Sequence, residues 1–199
     1  MKLFKSFRIS ITPEQRKERN RQWTLCITSG VLIGISFPPI PLPFLIFFSF
    51  IPYFFVLQKR GTLGSINRAT YLTAFVFTLI TLYWVGSWTK EADPFLKISG
   101  VLLLLVNPAL YLIPSTLFYF AQRIFNRKVA LFLLPLFWVS FEYAYGLTDL
   151  RFPWLALGNS LPYFNRFIQV ADIIGVNGLT LIILYINIFL FLSINNKLS

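Results

Sequence analysis

The feature that most constrains this chain is a series of long apolar runs separated by short polar stretches. A helix rises 1.5 Å per residue, so about 20 consecutive apolar residues are needed to cross the hydrocarbon core of a bilayer. Of the 199 residues, 56% are hydrophobic and only 13% are charged. Several runs reach or approach the spanning length, and the sequence therefore predicts a polytopic, all-α membrane protein.

Six apolar segments can be delimited by the prolines, glycines and charged residues between them. They predict a bundle of about six transmembrane helices, in which a tight Pro-rich hairpin joins the two short first segments. We expect residues 1–22 to form a basic segment ahead of a transmembrane domain at 23–195. The six segments are 23–37, 43–57, 69–88, 98–122, 129–145 and 167–194.

The net charge of +11 is placed between the apolar segments. No basic-aromatic patch accompanies it, so we expect no nucleic-acid partner. Lys and Arg accumulate on the cytoplasmic side of membrane proteins. If both termini are cytoplasmic, fourteen of the eighteen Lys and Arg residues lie inside. The four outside are Lys90, Lys97, Arg151 and Arg166. The charge bias therefore predicts cytoplasmic N- and C-termini.

In this orientation, two aromatic clusters fall at the outer interface, where amphipathic rings are favoured. One consists of Tyr83, Trp84 and Trp88. The other lies in the stretch RFPWLALGNS at 151–160, between the fifth and sixth segments. Its Phe-Pro-Trp sequence would sit near headgroup depth. It either anchors the chain in the interface beside a turn or contacts a ligand.

Two carboxylates fall within the predicted spans, where an unpaired charge is costly. Glu142 lies in the fifth segment and Asp172 in the outer third of the sixth. Each is either a functional group or a carboxylate satisfied by a neighbour, with Arg151, Arg166 or a Tyr hydroxyl as candidate partners.

Common catalytic signatures are missing from the sequence. The chain has no His, which excludes a His-based triad, and we expect neither a metal site nor a cofactor. The single Cys26 has no nearby activating residue and is interpreted as a structural thiol. Gly30 and Gly34 form a G-x-x-x-G pattern, which favours close packing of membrane helices.

Several stretches, in this order and spacing, resemble the N-terminal membrane domain of the apolipoprotein N-acyltransferases. They are SFPPIPLPFLIFFSFIP, the YW at 83–84, WVSFEY at 138–143 and RFPWLALGNSLPYFNRFIQVADIIGVNGLTLIILYIN. The resemblance runs from about residue 22 to 195. It implies an enzyme of the bacterial inner membrane, with a phospholipid as acyl donor and the N-terminal Cys amine of a diacylated lipoprotein as acceptor.

The family also implies a periplasmic nitrilase-like domain with a Glu-Lys-Cys triad, reached through a seventh span. Neither is present in this sequence, so we expect the chain to be a truncated or split membrane half, not catalytic alone, with a separately encoded nitrilase-like domain as one candidate partner. The alternative is a non-enzymatic lipid-binding or scaffolding domain, paired with an enzyme such as a polyprenol-phosphate glycosyltransferase. A transporter is poorly supported, because no inverted repeat is evident.

The resemblance further implies that the outer loops lie beneath the nitrilase-like domain and form a lateral access route for lipid and lipoprotein. Arginines there would meet phospholipid phosphate, and a Gly-Asn pair would permit a turn near the headgroups. The predicted access residues are Arg151, Phe152, Pro153, Trp154, Gly158, Asn159 and Arg166.

Overall fold

The structure, a computed structural model, describes residues 12–149 and 151–198, and it leaves the side chains of Pro153, Arg166 and Leu198 undescribed. Residues 1–11 of the predicted basic segment lie outside the described residues. Within the described ranges the chain forms helices and no strand. The α-helices are α1 (Pro13–Ile35), α2 (Ile51–Gln58), α3 (Leu63–Leu82), α4 (Pro94–Leu110), α5 (Leu112–Ile124), α6 (Arg127–Gly146), α7 (Asn165–Ile168) and α8 (Ala171–Leu198).

The predicted all-α membrane bundle is confirmed. Four helical stretches of the described chain are long and apolar enough to cross a bilayer, and the apolar segment Pro43–Gln58 is shorter. All six predicted segments coincide with helical structure. The chain is therefore a multi-pass membrane protein. The four long stretches are Leu63–Gly86, Pro94–Ile124, Arg127–Gly146 and Ala171–Lys197.

Helix α1 begins ten residues before the apolar segment that predicted it. The Thr12 side chain accepts a hydrogen bond from the Gln15 backbone, the Gln15 side chain accepts one from the Thr12 backbone, and Pro13 occupies the first turn. This capping box satisfies N–H groups that would otherwise lack partners. The polar start of α1 also carries Glu18, which forms a 2.8 Å ion pair with Lys59. The hydrogen bond from Lys59 lowers the pKa of Glu18 below its ordinary value.

Helix α1 packs closely along α3 through the predicted glycine pair. A Cβ atom at Gly30 would lie 2.6 Å from the Thr73 carbonyl oxygen, and one at Gly34 would lie 2.7 Å from the Ile80 Cβ. Only glycine leaves room for this approach. The Thr73 hydroxyl also donates to the Cys26 carbonyl at 3.3 Å, so the two helices are joined by packing and by a hydrogen bond.

The segment Pro43–Gln58 is broken in the middle. A 3₁₀ helix at Pro43–Phe47 ends before α2 begins at Ile51. Pro52 in the first turn of α2 has no N–H to donate, so it can start a helix but cannot continue one. Backbone groups at a break in the membrane interior need partners from the protein. The Ser29 hydroxyl supplies one by donating to the Ser49 carbonyl.

The side chain of Asn187 on α8 supplies further partners for this break. Its Oδ1 accepts from the Phe50 N–H at 2.9 Å. Its Nδ2 donates to the Ile46 carbonyl at 2.8 Å and to the Ile183 carbonyl of its own helix at 2.9 Å. The amide is fully buried. Asn187 therefore fastens the broken segment to α8 through bonds on both sides of the break.

The fourth apolar segment is divided at Tyr111, between α4 and α5. Pro108 and Pro114 flank the division, and each removes a helical hydrogen bond. The Tyr111 ring is buried, with its centroid 5.2 Å from that of Trp138 and 5.4 Å from that of Phe141. The division thus directs a large ring from the largely exposed α4–α5 pair into the core of the bundle.

Candidate functional site at the outer end of the bundle

Glu142 lies on α6 one turn before its last residue, Gly146. At 1.5 Å per residue it is about 6 Å below the end of the helix that the charge bias places outside. The loop 151–164, which connects α6 to α7 and α8, contacts Glu142 through the backbone of Leu157. The carboxylate thus sits where α6, the loop and α8 meet.

Three donors from three parts of the chain converge on this carboxylate. The Trp138 indole N–H, one turn earlier on α6, donates to Oε1 at 3.0 Å. The Leu157 backbone N–H in the loop donates to the same oxygen at 3.0 Å. The Thr180 hydroxyl on α8 donates to Oε2 at 2.8 Å. The expectation of a satisfied carboxylate agrees with this geometry, and its described partners are Trp138, Leu157 and Thr180 in place of the predicted Arg151 or tyrosine.

Thr180 extends this network into the loop. While its hydroxyl donates to Glu142, its oxygen accepts the backbone N–H of Gly158 at 3.0 Å. Two consecutive loop amides, those of Leu157 and Gly158, are therefore held by the network. A Cβ atom at Gly158 would collide with the Val176 carbonyl oxygen and lie 3.1 Å from the Leu179 Cβ. Glycine is needed here because the loop backbone lies directly on α8.

A cavity of about 430 Å³ opens beside the network, and we call it the outer cavity. Its volume is within the range of small-ligand sites. Its walls are mainly aromatic and aliphatic side chains, with a few polar groups between them, which suits a ligand that is part apolar chain and part polar group. Its described lining consists of Tyr111, Phe141, Glu142, Tyr143, Tyr145, Gly146, Leu147, Phe152, Leu155, Ala156, Asn159, Val176 and Asn177.

The outer cavity brings together several of the residues that the sequence singled out. Phe152 and Asn159 line it together with Glu142, and Gly158 lies in the loop at its edge. Arg151 and Trp154 are exposed beside Phe152, and Trp154 exposes 45% of its surface. The side chains of Pro153 and Arg166 lie outside the described residues, so their roles stay predictions.

Other predicted polar and aromatic residues lie apart from this cavity lining. Asp172 is exposed in the first turn of α8. Tyr83, Trp84 and Trp88 are each about half exposed, at and just after the 3₁₀ helix Tyr83–Gly86 that follows α3. The Trp84 indole N–H donates to the Thr81 carbonyl at 2.8 Å. Exposed aromatic rings, one of them with its indole N–H already hydrogen-bonded, suit a membrane interface. The interfacial role of these three residues stays a prediction.

Neither a metal centre nor a cysteine nucleophile is formed by the described part of the chain. No group of three His, Cys, Asp or Glu side chains comes together there as a metal site. Cys26 is fully buried in the helix core, and burial raises the free energy of a thiolate. Within the described ranges, the arrangement at the outer end can hold and orient a ligand, but it presents no thiol nucleophile.

Sequence reasoning missed Trp138 and Thr180, which hold Glu142 at the site, and Asn187, which holds the broken segment to α8. Trp138 precedes Glu142 by four residues, a spacing that places both on one helix face. Thr180 and Asn187 are seven residues apart in an apolar helix and therefore also share a face. These spacings were readable, but the loop amides bound by Glu142 and Thr180 have no sequence signal.

The comparisons with known proteins agree with this architecture. Residues 29–189 match the family described as the apolipoprotein N-acyltransferase N-terminal domain. The chain is 30% identical over 183 residues, 90% of its length, to the apolipoprotein N-acyltransferase of Chlorobaculum tepidum. It is 31% identical over 86% of its length to that of Geobacter metallireducens. No solved structure matches significantly.

The alignments cover the chain almost completely but only part of each relative. The chain spans 33% of the Chlorobaculum protein and 33% of the Geobacter protein, about a third of the length of the curated relatives. The helical bundle, the family match and this coverage all point to the same region of those proteins. The chain belongs to the apolipoprotein N-acyltransferase family and corresponds to its N-terminal domain.

Proposed function

We propose that this chain forms the membrane half of a bacterial inner-membrane N-acyltransferase in lipoprotein maturation. In that reaction an acyl chain moves from a phospholipid to the N-terminal Cys amine of a diacylated lipoprotein. The observation that carries the proposal is the outer cavity, which combines aromatic and aliphatic walls with polar groups at the predicted outer interface. Such a lining suits the junction of a lipid headgroup and its acyl chain.

The acyl-transfer step itself requires residues beyond those described. The family resemblance implies a Glu-Lys-Cys triad in a nitrilase-like domain, in which the Cys carries the acyl group as a thioester. Cys26 is a poor substitute because it is fully buried. We place the triad outside residues 12–198, on a continuation of this chain or on a second polypeptide. The present chain then positions the lipid and the lipoprotein beneath it.

A hybrid protein tests this function. Residues 29–189 would replace the aligned region of the Chlorobaculum relative in cells depleted of their own enzyme. The fraction of lipoprotein N-terminal peptides that carry an amide-linked acyl chain would be measured by mass spectrometry. The proposal predicts that the hybrid restores this modification. A hybrid that inserts and folds but leaves lipoproteins diacylated would contradict it and favour the non-enzymatic alternative.

The access residues can be tested in the same hybrid. Replacing both Arg151 and Trp154 by Ala is expected to lower kcat/KM about tenfold, mainly through KM, because a charged hydrogen bond and a ring contact to the lipid are lost. The matched control is Arg123→Ala with Phe125→Ala, an exposed pair of a cation and an aromatic ring at the opposite end of the bundle. Equal activity of the Arg151/Trp154 variant and the parent hybrid would leave these residues as interfacial anchors only.

A further inference from the structure

A second cavity, of about 300 Å³, lies at the other end of the bundle, and we call it the inner cavity. It is bounded by the end of α2, by α5, by the start of α6 and by the last turns of α8. The charge bias places this end in the cytoplasmic leaflet. Its described lining consists of Phe54, Leu57, Gln58, Phe118, Arg127, Lys128, Leu131, Phe191, Leu192, Asn195 and Asn196.

The lining of the inner cavity is divided by depth. Arg127 and Lys128 begin α6, and Leu131 follows one turn further into the bundle. Helix α8 runs toward this end of the bundle, so Leu192, three residues before Asn195, lies nearly one turn deeper than Asn195. One helical turn is about 5.4 Å. A cationic and amide-bearing mouth therefore stands about one turn above an apolar floor formed by these leucines and the neighbouring phenylalanines.

Arg127 is held in place over the mouth. One guanidinium nitrogen donates to the Gln58 carbonyl, and the other donates to the Arg60 carbonyl at 3.2 Å. A guanidinium has five N–H donors, and these bonds use two of them. The side chain thus satisfies carbonyls at the end of α2 while its charge stays at the cavity. Lys128 is exposed beside it.

The surrounding charge favours an anion. The described residues lining the inner cavity include two cations and no carboxylate. Five of the seven acidic residues, from Glu91 to Asp172, lie toward the outer end of the bundle. The two at the inner end, Glu14 and Glu18, are on α1, and Glu18 is already paired with Lys59. Among the described lining residues, phosphate at the mouth would meet two cations and no carboxylate.

We propose that the inner cavity binds an anionic phospholipid of the cytoplasmic leaflet. Its phosphate would lie against Arg127 and Lys128, and the beginning of an acyl chain would lie against Leu131 and Leu192. The apolar floor selects a lipid over soluble phosphate, and the paired cations select an anionic over a zwitterionic headgroup. This site lies at the opposite end from the outer cavity and does not depend on acyl transfer.

Native mass spectrometry of the purified chain in detergent tests this proposal, with dioleoyl-phosphatidylglycerol and dioleoyl-phosphatidylcholine as probes. The chain is expected to retain phosphatidylglycerol at concentrations where phosphatidylcholine is lost. A charge near a lipid surface contributes about a fivefold change in affinity. Lys128→Gln should therefore weaken phosphatidylglycerol binding about fivefold, and Arg127→Gln with Lys128→Gln by more than tenfold.

Two further variants separate the cavity from general surface charge. Arg16→Gln with Lys17→Gln removes the same charge from the exposed start of α1 and should change binding less than twofold. Leu192→Trp keeps the charge but fills the floor, and it should weaken binding at least fivefold. Thermal unfolding monitors the fold of each variant. If Arg127→Gln unfolds the protein, the single variant Lys128→Gln still tests the proposal. Equal retention of both lipids, equal losses in the two double variants, or no effect of Leu192→Trp would overturn the proposal.

Discussion

Replacing Glu142 by Leu is expected to destabilise the outer end of the bundle by about 3 kcal/mol or more. The substitution removes the acceptor shared by the Trp138 indole, the Leu157 amide and the Thr180 hydroxyl. A buried donor left without a partner costs about 1–3 kcal/mol, and three are affected. The free energy needed to separate the loop from α8 should then be lower than in the parent protein.

Hydrogen exchange at the Leu157 and Gly158 amides measures this opening directly. A 3 kcal/mol loss in the local opening free energy corresponds to about 100-fold faster exchange at these two positions. Glu142→Gln keeps an acceptor of the same shape and should lose far less. Asp172→Asn, on an exposed acid of α8, is the matched control and should leave exchange unchanged. Unchanged exchange in Glu142→Leu would show that the network does not hold the loop.

Replacing Asn187 by Leu is expected to destabilise the whole bundle by about 2–4 kcal/mol. The Phe50 N–H would lose the partner described for it at the break before α2, and the Ile46 carbonyl would keep only its bond from the Ser49 hydroxyl. Water cannot replace the lost partner in the membrane interior. Since α2 packs against α1, α3 and α8, the penalty should appear in global unfolding.

Unfolding in detergent, followed by circular dichroism as denaturing detergent increases, measures this loss. Asn177→Leu removes another amide of α8, one that faces the outer cavity, and should cost less than about 1 kcal/mol. If the two variants were equally stable, Asn187 would be an ordinary polar core residue and the broken segment would need another explanation.

The sequence predicted the helices well because the signal for them is local. Apolar runs and the prolines between them placed all six segments, and G-x-x-x-G at Gly30 and Gly34 indicated close helix packing, which the structure shows to be with α3. The start of α1 was predicted late for a clear reason. Hydropathy does not detect a polar helical turn, although Thr12, Pro13 and Gln15 form a readable capping pattern.

The outer site was only partly predictable, because its chemistry is formed by contacts between distant residues. Glu142 could be recognised as an ionisable group in a span, and Phe152 and Asn159 as outer-loop residues. Two of the donors that hold the loop, however, are backbone amides, which every residue except proline carries. The importance of Asn187 depends on a break in a segment 137 residues away, and the sequence of α8 alone contains no sign of it.

The sidedness of the membrane underlies both proposals, and a single labelling experiment tests it. Cys26 is the chain's one cysteine, so Cys26→Ala gives a background for single reporters. Tyr163→Cys places one in the exposed outer loop, and Lys128→Cys places one at the inner cavity. In intact spheroplasts, a membrane-impermeant maleimide should label position 163 at once and position 128 only after permeabilisation. Labelling of position 128 in intact spheroplasts would contradict the orientation and with it both cavity assignments.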